Sequence, residues 1–420
     1  MTGSNAMPHH PDPAHGRNAR ALDAMNAFLA DVRDGLGPYL AIYLVSVRGP
    51  THGWDEATAG MVMTIAGIAG LLATTPAGAL VDRIKAKRGL LVVAALLVTL
   101  ASISLPIVSG FFMVAATQSV AAVAGAVFAP GIAAISLGIV GPRAFTRRVG
   151  RNEAFNHAGN AVAAALAGLL AWKFGPVVVF YLMGILAACS IVAILWVDGD
   201  AIDHDVARGC EGKPGEADES CDPAPSLVRT LTGNPALAIF AGAAFLFHLA
   251  NAAMLPAVGQ LLGREVGAGQ ATSLVAACIV GAQLVMVPVA IVVGRNADRW
   301  GHRPILLVGM AVLVARGVLY TVADAPAWLL GVQLLDGIGA GIFGALLPVV
   351  VAAIMRGTGR FNAAQGAVAT VQGLGGALST TLAGVMIVRG GYDAAFLLLA
   401  GIAAIGLGLL WWKMPETAER

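Results

Sequence analysis

A few polar and ionisable residues stand inside long apolar runs of this sequence, and their types suit proton exchange and the binding of a polar solute. Asp31 and Asp34 are three apart and share a helical face, with Arg33 pointing elsewhere. His248 and Asn251 repeat that spacing, as do Gln333 and Asp336, and Gln118 stands in a further apolar run. A carboxyl group removed from water favours its protonated form, and an imidazole titrates near neutrality. Acids and a histidine so placed can therefore take up and release protons as their surroundings change. On insertion scales a charge at the centre of a membrane helix costs about 3 kcal/mol, so each one needs a role or a partner. The structural alternatives are an ion pair for Asp34, a neutral hydrogen-bonded Asp336 and a packing role for His248.

The elements that must hold these residues follow from composition. The chain has 420 residues, 58% hydrophobic and 12% charged, with a mean hydropathy of +0.79. A soluble domain carries roughly 25% charged residues, so most of this chain does not face water. A spanning helix needs roughly 20 apolar residues. Twelve such runs occur, near 25–47, 56–80, 88–109, 111–138, 150–173 and 176–197, then near 235–262, 270–293, 303–323, 326–352, 360–388 and 392–413. Were the first to begin after Asp34, its apolar part would cover roughly 20 Å, too little for a bilayer core. A start near Met25 places Asp34 near the midplane. The expected fold is an all-α membrane protein: twelve transmembrane helices in two pseudo-symmetric six-helix halves, 25–197 and 235–413. A polar tail (1–24), an acidic, Gly- and Pro-rich linker (198–234) and a short tail (414–420) complete it.

Lysines and arginines in the short loops set the orientation. Arg83, Lys85, Lys87, Arg88, Arg143, Arg147, Arg148, Arg151, Arg295, Arg299, Arg303, Arg356 and Arg360 gather on one side; Arg48, Lys173, Arg264 and Arg389 lie on the other. The first side is expected in the cytoplasm, with both termini, in a cell (inner) membrane. Markers recur between the halves at near-constant offsets: Gly78, Asp82 and Arg83 match Gly294, Asp298 and Arg299, and Pro38 matches Pro256.

The loop segments GALVDRIKAKR (78–88) and GRNADRWGHRP (294–304) resemble motif A of the major facilitator superfamily, and the resemblance covers about 25–413. It implies parallel six-helix halves and transport by alternating access. It also implies that Asp82 faces the positive N-terminus of the eleventh helix and helps close the cytoplasmic side, while Gly78 allows close helix approach. In that family the first, fourth, seventh and tenth helices line the central cavity, which gathers Asp31, Asp34, Gln118, His248, Asn251, Gln333 and Asp336. The ninth helix is peripheral there, so Arg316 is expected to meet a structural partner or lipid. The arginine and Gly-Pro patterns of proton-coupled drug antiporters are absent; Gln118 stands where the arginine would be.

Other chemistries find no support. Gly339–Gly344 fits GxGxxG but lies inside an apolar run, where Gly337 and Gly341 read as helix packing. Walker A, HExxH and GxSxG patterns are absent, so no enzyme, cofactor or nucleic-acid partner is expected. Asp203, His204, Asp205, Cys210 and Cys221 are too irregularly spaced for a metal site, and no resident metal is expected. The expected partners are a small-molecule solute, protons and the lipid bilayer, and the expected function is secondary transport of a small polar or cationic solute, proton-coupled and directed to efflux. Metabolite uptake, metal-ion export through Asp34, His248 and Asp336, and a non-transporting receptor are the alternatives.

Overall fold

The computed structural model describes residues 13–34, 36–204, 206–208, 231, 233–355 and 361–418. The side chains of Asp31, Asp34 and Asp82 lie outside that description, as do Asp205, Cys210, Cys221, Arg356 and Arg360. Among the described residues, ten segments are long and apolar enough to cross a membrane. The last of them turns at Gly391 (φ 82°), and one further helix precedes them. In chain order the rods are α1 (13–34 and 36–52), α2 (Glu56–Arg83), α3 (Lys87–Ser104), α4 (111–140), α5 (142–174), α6 (Val178–Trp196), α7 (235–266), α8 (Ala268–Trp300), α9 (His302–Leu319), α10 (Pro326–Ile354), α11 (361–390) and α12 (392–413). Strands are absent among the described residues.

Local chemistry sets the helix ends. Asp55 accepts from the Thr58 amide (2.8 Å) and starts α2; Asn234 accepts from the Leu237 amide (3.1 Å), with Pro235 in the first turn of α7. The buried Lys87 closes the C-terminus of α2 by donating to the carbonyls of Val81 (2.5 Å) and Ile84 (3.3 Å). Gly141 (φ 70°) divides α4 from α5 and Gly391 divides α11 from α12, both in the left-handed region that glycine tolerates.

Two helices begin earlier than hydropathy places them. The first starts at Pro13 rather than near Met25, because polar contacts hold its hydrophilic turns. Arg17 pairs with Asp198 (2.7 Å), Asn18 accepts from the Asp198 amide (2.9 Å), and buried Asp23 is clasped by Arg148 (2.7 Å) and Arg151 (2.6 Å). The fifth starts at 142, where Pro142 follows the Gly141 turn. The carboxyl-terminal tail is also tied down. Glu416 accepts from the His302 amide at the start of α9 (2.9 Å) and from the amides of Thr417 and Ala418 (both 2.9 Å). Partial burial raises its pKa, but these backbone hydrogen bonds outweigh burial and the net shift is downward. A lowered folded pKa stabilises the folded state above the carboxyl's unfolded value, and that contribution fades as pH falls through the folded one. Glu416→Gln is therefore expected to lower thermal stability at pH 7, and the gap to the natural protein should close below the carboxylate range. An unchanged gap at low pH would mean that the carboxylate charge is not what holds the tail.

Among the described residues the halves meet along one end. The helices α2 and α11 run antiparallel: Thr64 Oγ1 donates to the Ala377 carbonyl (2.6 Å), a Cβ on Gly67 would touch Ala377, and Leu71 lies against Gly373. Past that level they part. A Cβ on Gly78 or on Gly366 would meet nothing within 4 Å, nor would one on Gly294 of α8. The pair α5 and α8 behaves alike, with Ser273 Oγ on the Gly168 carbonyl (2.6 Å) near the end where α8 begins. So does the pair α1 and α7, where Gly259 faces Ile42 and Gly263 faces Ser46. The bundle is thus closed at the end opposite the basic loops and splayed at the basic end. Gly78 makes no close approach in this state, and Arg83, Asp298 and Arg299 are exposed.

Candidate substrate cavity

Between the halves lies a cavity of two adjoining lobes, each of about 430 Å³, which share Gly37, Met63 and Gly67. One belongs to the N-terminal half and is walled by α1, α2, α3, α4 and α6; the other is walled by α1, α2, α7, α9, α10 and α11. Below both, two tiers of contacts seal the closed end. The upper joins α2 to α11: Thr381 Oγ1 donates to Thr64 Oγ1 (2.7 Å) and Thr380 Oγ1 to the Gly60 carbonyl (3.2 Å). The lower centres on Glu56, only 3% exposed, whose Oε1 accepts from Tyr392 (2.8 Å) and from Arg264. Glu56 belongs to the first half and both its partners to the second, so this carboxylate is a latch between halves.

The polar chemistry of the second lobe is one connected network. Arg316 of α9, 1% exposed, forms an ion pair with Asp336 of α10. It also donates to Asn251 Oδ1 of α7 (2.7 Å), and its Nε and Nη2 rest on the Met254 sulfur at 3.2 and 3.0 Å. The other Asp336 oxygen accepts from Gln333 Nε2 (3.1 Å), and Gln333 Oε1 accepts from the Tyr320 hydroxyl. Close packing of α8 holds α10 in place: a Cβ on Gly341 would stand 3.2 Å from the Met286 carbonyl. A guanidinium at this depth is tolerated because a carboxylate and an amide oxygen meet it.

The expected site residues divide accordingly. Asn251, Gln333 and Asp336 come together. Gln118 lines the first lobe at 7% exposure, and its Nε2 has no hydrogen-bond partner among the described residues. His248 does not join them; its Nδ1 binds the Ala244 carbonyl of its own helix (2.9 Å) and its ring packs edge-on against Phe247. Around the undescribed Asp31 and Asp34 side chains, Val32 and Gly37 of the same helix line the first lobe. Arg316 meets a structural partner, the first of the two expected alternatives, and not lipid: it is buried at the centre of the network. A single arginine and a single aspartate facing each other within one helical hairpin were the available signal. Tyr320, Met254 and Glu56 left none.

An all-helical, multi-pass membrane protein with a cavity between two halves has the architecture of a membrane transporter. The family model for the Major Facilitator Superfamily matches residues 24–282 and 240–420. Two uncharacterized MFS-type transporters of Mycobacterium tuberculosis, from the CDC 1551 / Oshkosh and H37Rv strains, are each 54% identical over 403 residues, covering 96% of this chain and 94% of theirs. The chain belongs to the Major Facilitator Superfamily. Its fold resembles the crystal structure of a bacterial homolog to the human lysosomal transporter Spinster, in an inward-facing and unoccupied conformation (TM-score 0.75, 13% identity, 98% of each chain). It also resembles the nucleoside transporter NupG (TM-score 0.71, 14% identity, 95% of this chain and 98% of that one).

Proposed function

We propose that the chain is a proton-coupled secondary transporter that carries one small polar solute through this cavity by alternating access, with the basic end and both termini in the cytoplasm. The observation that carries the reading is the cavity itself: walled by both halves, sealed at one end by separable polar contacts, open at the other, and bordered by a half-buried carboxylate. Asp336 is the proton-carrying group and Gln118 and Asn251 are solute contacts. Asp31 and Asp34 are assigned to the same cavity from sequence. The gate segments around Gly78, Asp82 and Arg83, and around Gly294, Asp298 and Arg299, close the basic end in the opposite state. Export is the direction adopted, on family resemblance.

The likeness to a nucleoside transporter is not carried over to the solute. No aromatic ring lines either lobe among the described residues, so a base would find nothing to stack on. Of the three residues that metal export would use, His248 is bound to the Ala244 carbonyl of its own helix and Asp336 to Arg316, while the Asp34 side chain lies outside the described residues.

Spin labels at Leu80→Cys on α2 and Gly366→Cys on α11 test the mechanism. Two distance populations are expected, with their ratio changing between pH 6 and pH 8. One long distance under every condition would remove alternating access.

A further inference from the structure

The Arg316 guanidinium borders the second lobe, yet its partners are unequal. One side meets the Asp336 carboxylate and one N–H meets a neutral amide oxygen, while Nε and Nη2 also point at the Met254 thioether. A thioether is a weak acceptor, whereas a carboxylate oxygen forms charge-assisted bonds about twice as strong as neutral ones. Space for such a group lies beside it, between Gly37, Gly67, Gly373 and Gly376, with Pro38 and Leu255 as apolar walls.

Charge balance then restricts what can enter. The empty Arg316–Asp336 pair is neutral. An organic anion entering alone would leave one net negative charge at membrane depth, at about 3 kcal/mol. A proton on Asp336, arriving with the anion, restores neutrality. A cation would have to approach the Arg316 guanidinium and would leave the site net positive, which argues against the cationic solute that the acids suggest in sequence.

We propose that Arg316 and Asp336 form a carboxylate–proton exchange site, so that the solute is a small organic monocarboxylate whose carboxylate takes Arg316 as Asp336 takes a proton. This rests on the transporter reading above and names its solute class. In the loaded state Arg316 pairs with the solute, and the proton drawn from solution stays on Asp336. The Gln333–Tyr320 chain keeps the carboxyl group in position. The Gln118 amide, a buried donor in the adjoining lobe without a partner among the described residues, is placed to meet an acceptor oxygen at the far end of the solute. The other titratable groups around Asp336 among the described residues are Tyr320 on α9 and Cys278 on α8, while His248 on α7 is tied to the Ala244 carbonyl.

Binding to the detergent-purified full chain tests this, with acetate, hexanoate and benzoate as probes and benzamide and benzylamine as neutral and cationic counterparts. At least one carboxylate is expected to bind, its affinity rising up to about tenfold per unit fall in pH between 8 and 6. The amide and the amine should not bind. Asp336→Asn should bind the carboxylate with no pH dependence, since Arg316 is then free of its internal partner. The double variant Arg316→Gln with Asp336→Asn keeps the site neutral, so it should fold and fail to bind. Binding of benzylamine in preference, binding retained in the double variant, or no binding of any of the three carboxylates would overturn the assignment. The spin-label distances decide the transporter reading separately: two populations without carboxylate binding leave the permease standing and remove only this site.

Discussion

Arg316→Gln is expected to destabilise the purified protein by about 3–5 kcal/mol, and adding Asp336→Asn to the same chain should return most of the loss. The single change leaves the half-buried Asp336 carboxylate facing a glutamine at membrane depth, without the charge that balanced it. The double change removes both charges and leaves neutral groups able to hydrogen-bond Asn251 and Gln333. The exposed pair Arg17–Asp198, with side chains 48% and 33% exposed, provides a contrast: Arg17→Ala should cost less than about 1 kcal/mol. Unfolding in detergent, followed by tryptophan fluorescence, measures all three. Equal destabilisation of the single and double variants would show that Arg316 acts through its packing on Met254 and Tyr320 and not through its charge.

The second large effect is expected at the sealed end. A Cβ on Gly384 of α11 would collide with the Glu56 carbonyl of α2, and one on Gly60 would collide with the Thr380 carbonyl. Backbone cannot yield as a flexible side chain can. Gly384→Val should therefore push the helices apart at this end and disfavour the observed state by about 1–3 kcal/mol, roughly ten- to a hundredfold in the ratio of states. The spin-label pair across the basic end should then report mainly the shorter distance. Arg264→Ala acts on the same seal more weakly, because its side chain is 56% exposed and solvent screens the pair. Unchanged populations in Gly384→Val would mean that the α2–α11 contact does not set the conformational balance.

Much of this was legible because a bilayer imposes a length and a polarity on each segment. Apart from the early start of α5, the rods from Glu56 to Lys413 follow the apolar runs, and the Gly337/Gly341 spacing correctly reads as helix packing. Helix ends were less legible: polar turns such as Arg17–Asp23 are helical only because Asp198, Arg148 and Arg151 meet them across the fold. Within the site, Asn251, Gln333 and Asp336 announced themselves as polar residues at membrane depth. Arg316 found the structural partner expected of it, but its place beside the cavity went unread, because family-level reasoning about which helices line a cavity left the ninth helix out. His248 met its hydrogen-bonding need within its own helix, which no spacing rule reveals. The Glu56 latch joins residues more than two hundred positions apart, and nothing local to Glu56 marks it.

Tyr39 and Ile42 of α1, Ala167 and Ala171 of α5, and Val179 and Leu182 of α6 are buried in the same apolar cluster as the core of the C-terminal half. During synthesis those residues enter the membrane before any of α7 to α12 exists. Until then their surfaces must rest against lipid or against the insertion machinery, and the small side chains that admit a close neighbour leave gaps there. Expressed alone, the N-terminal half should be an unfinished piece, short-lived in the cell and rescued when the C-terminal half is supplied as a separate chain. The interface that parts in the proposed transport cycle is thus also the one that completes the protein's assembly.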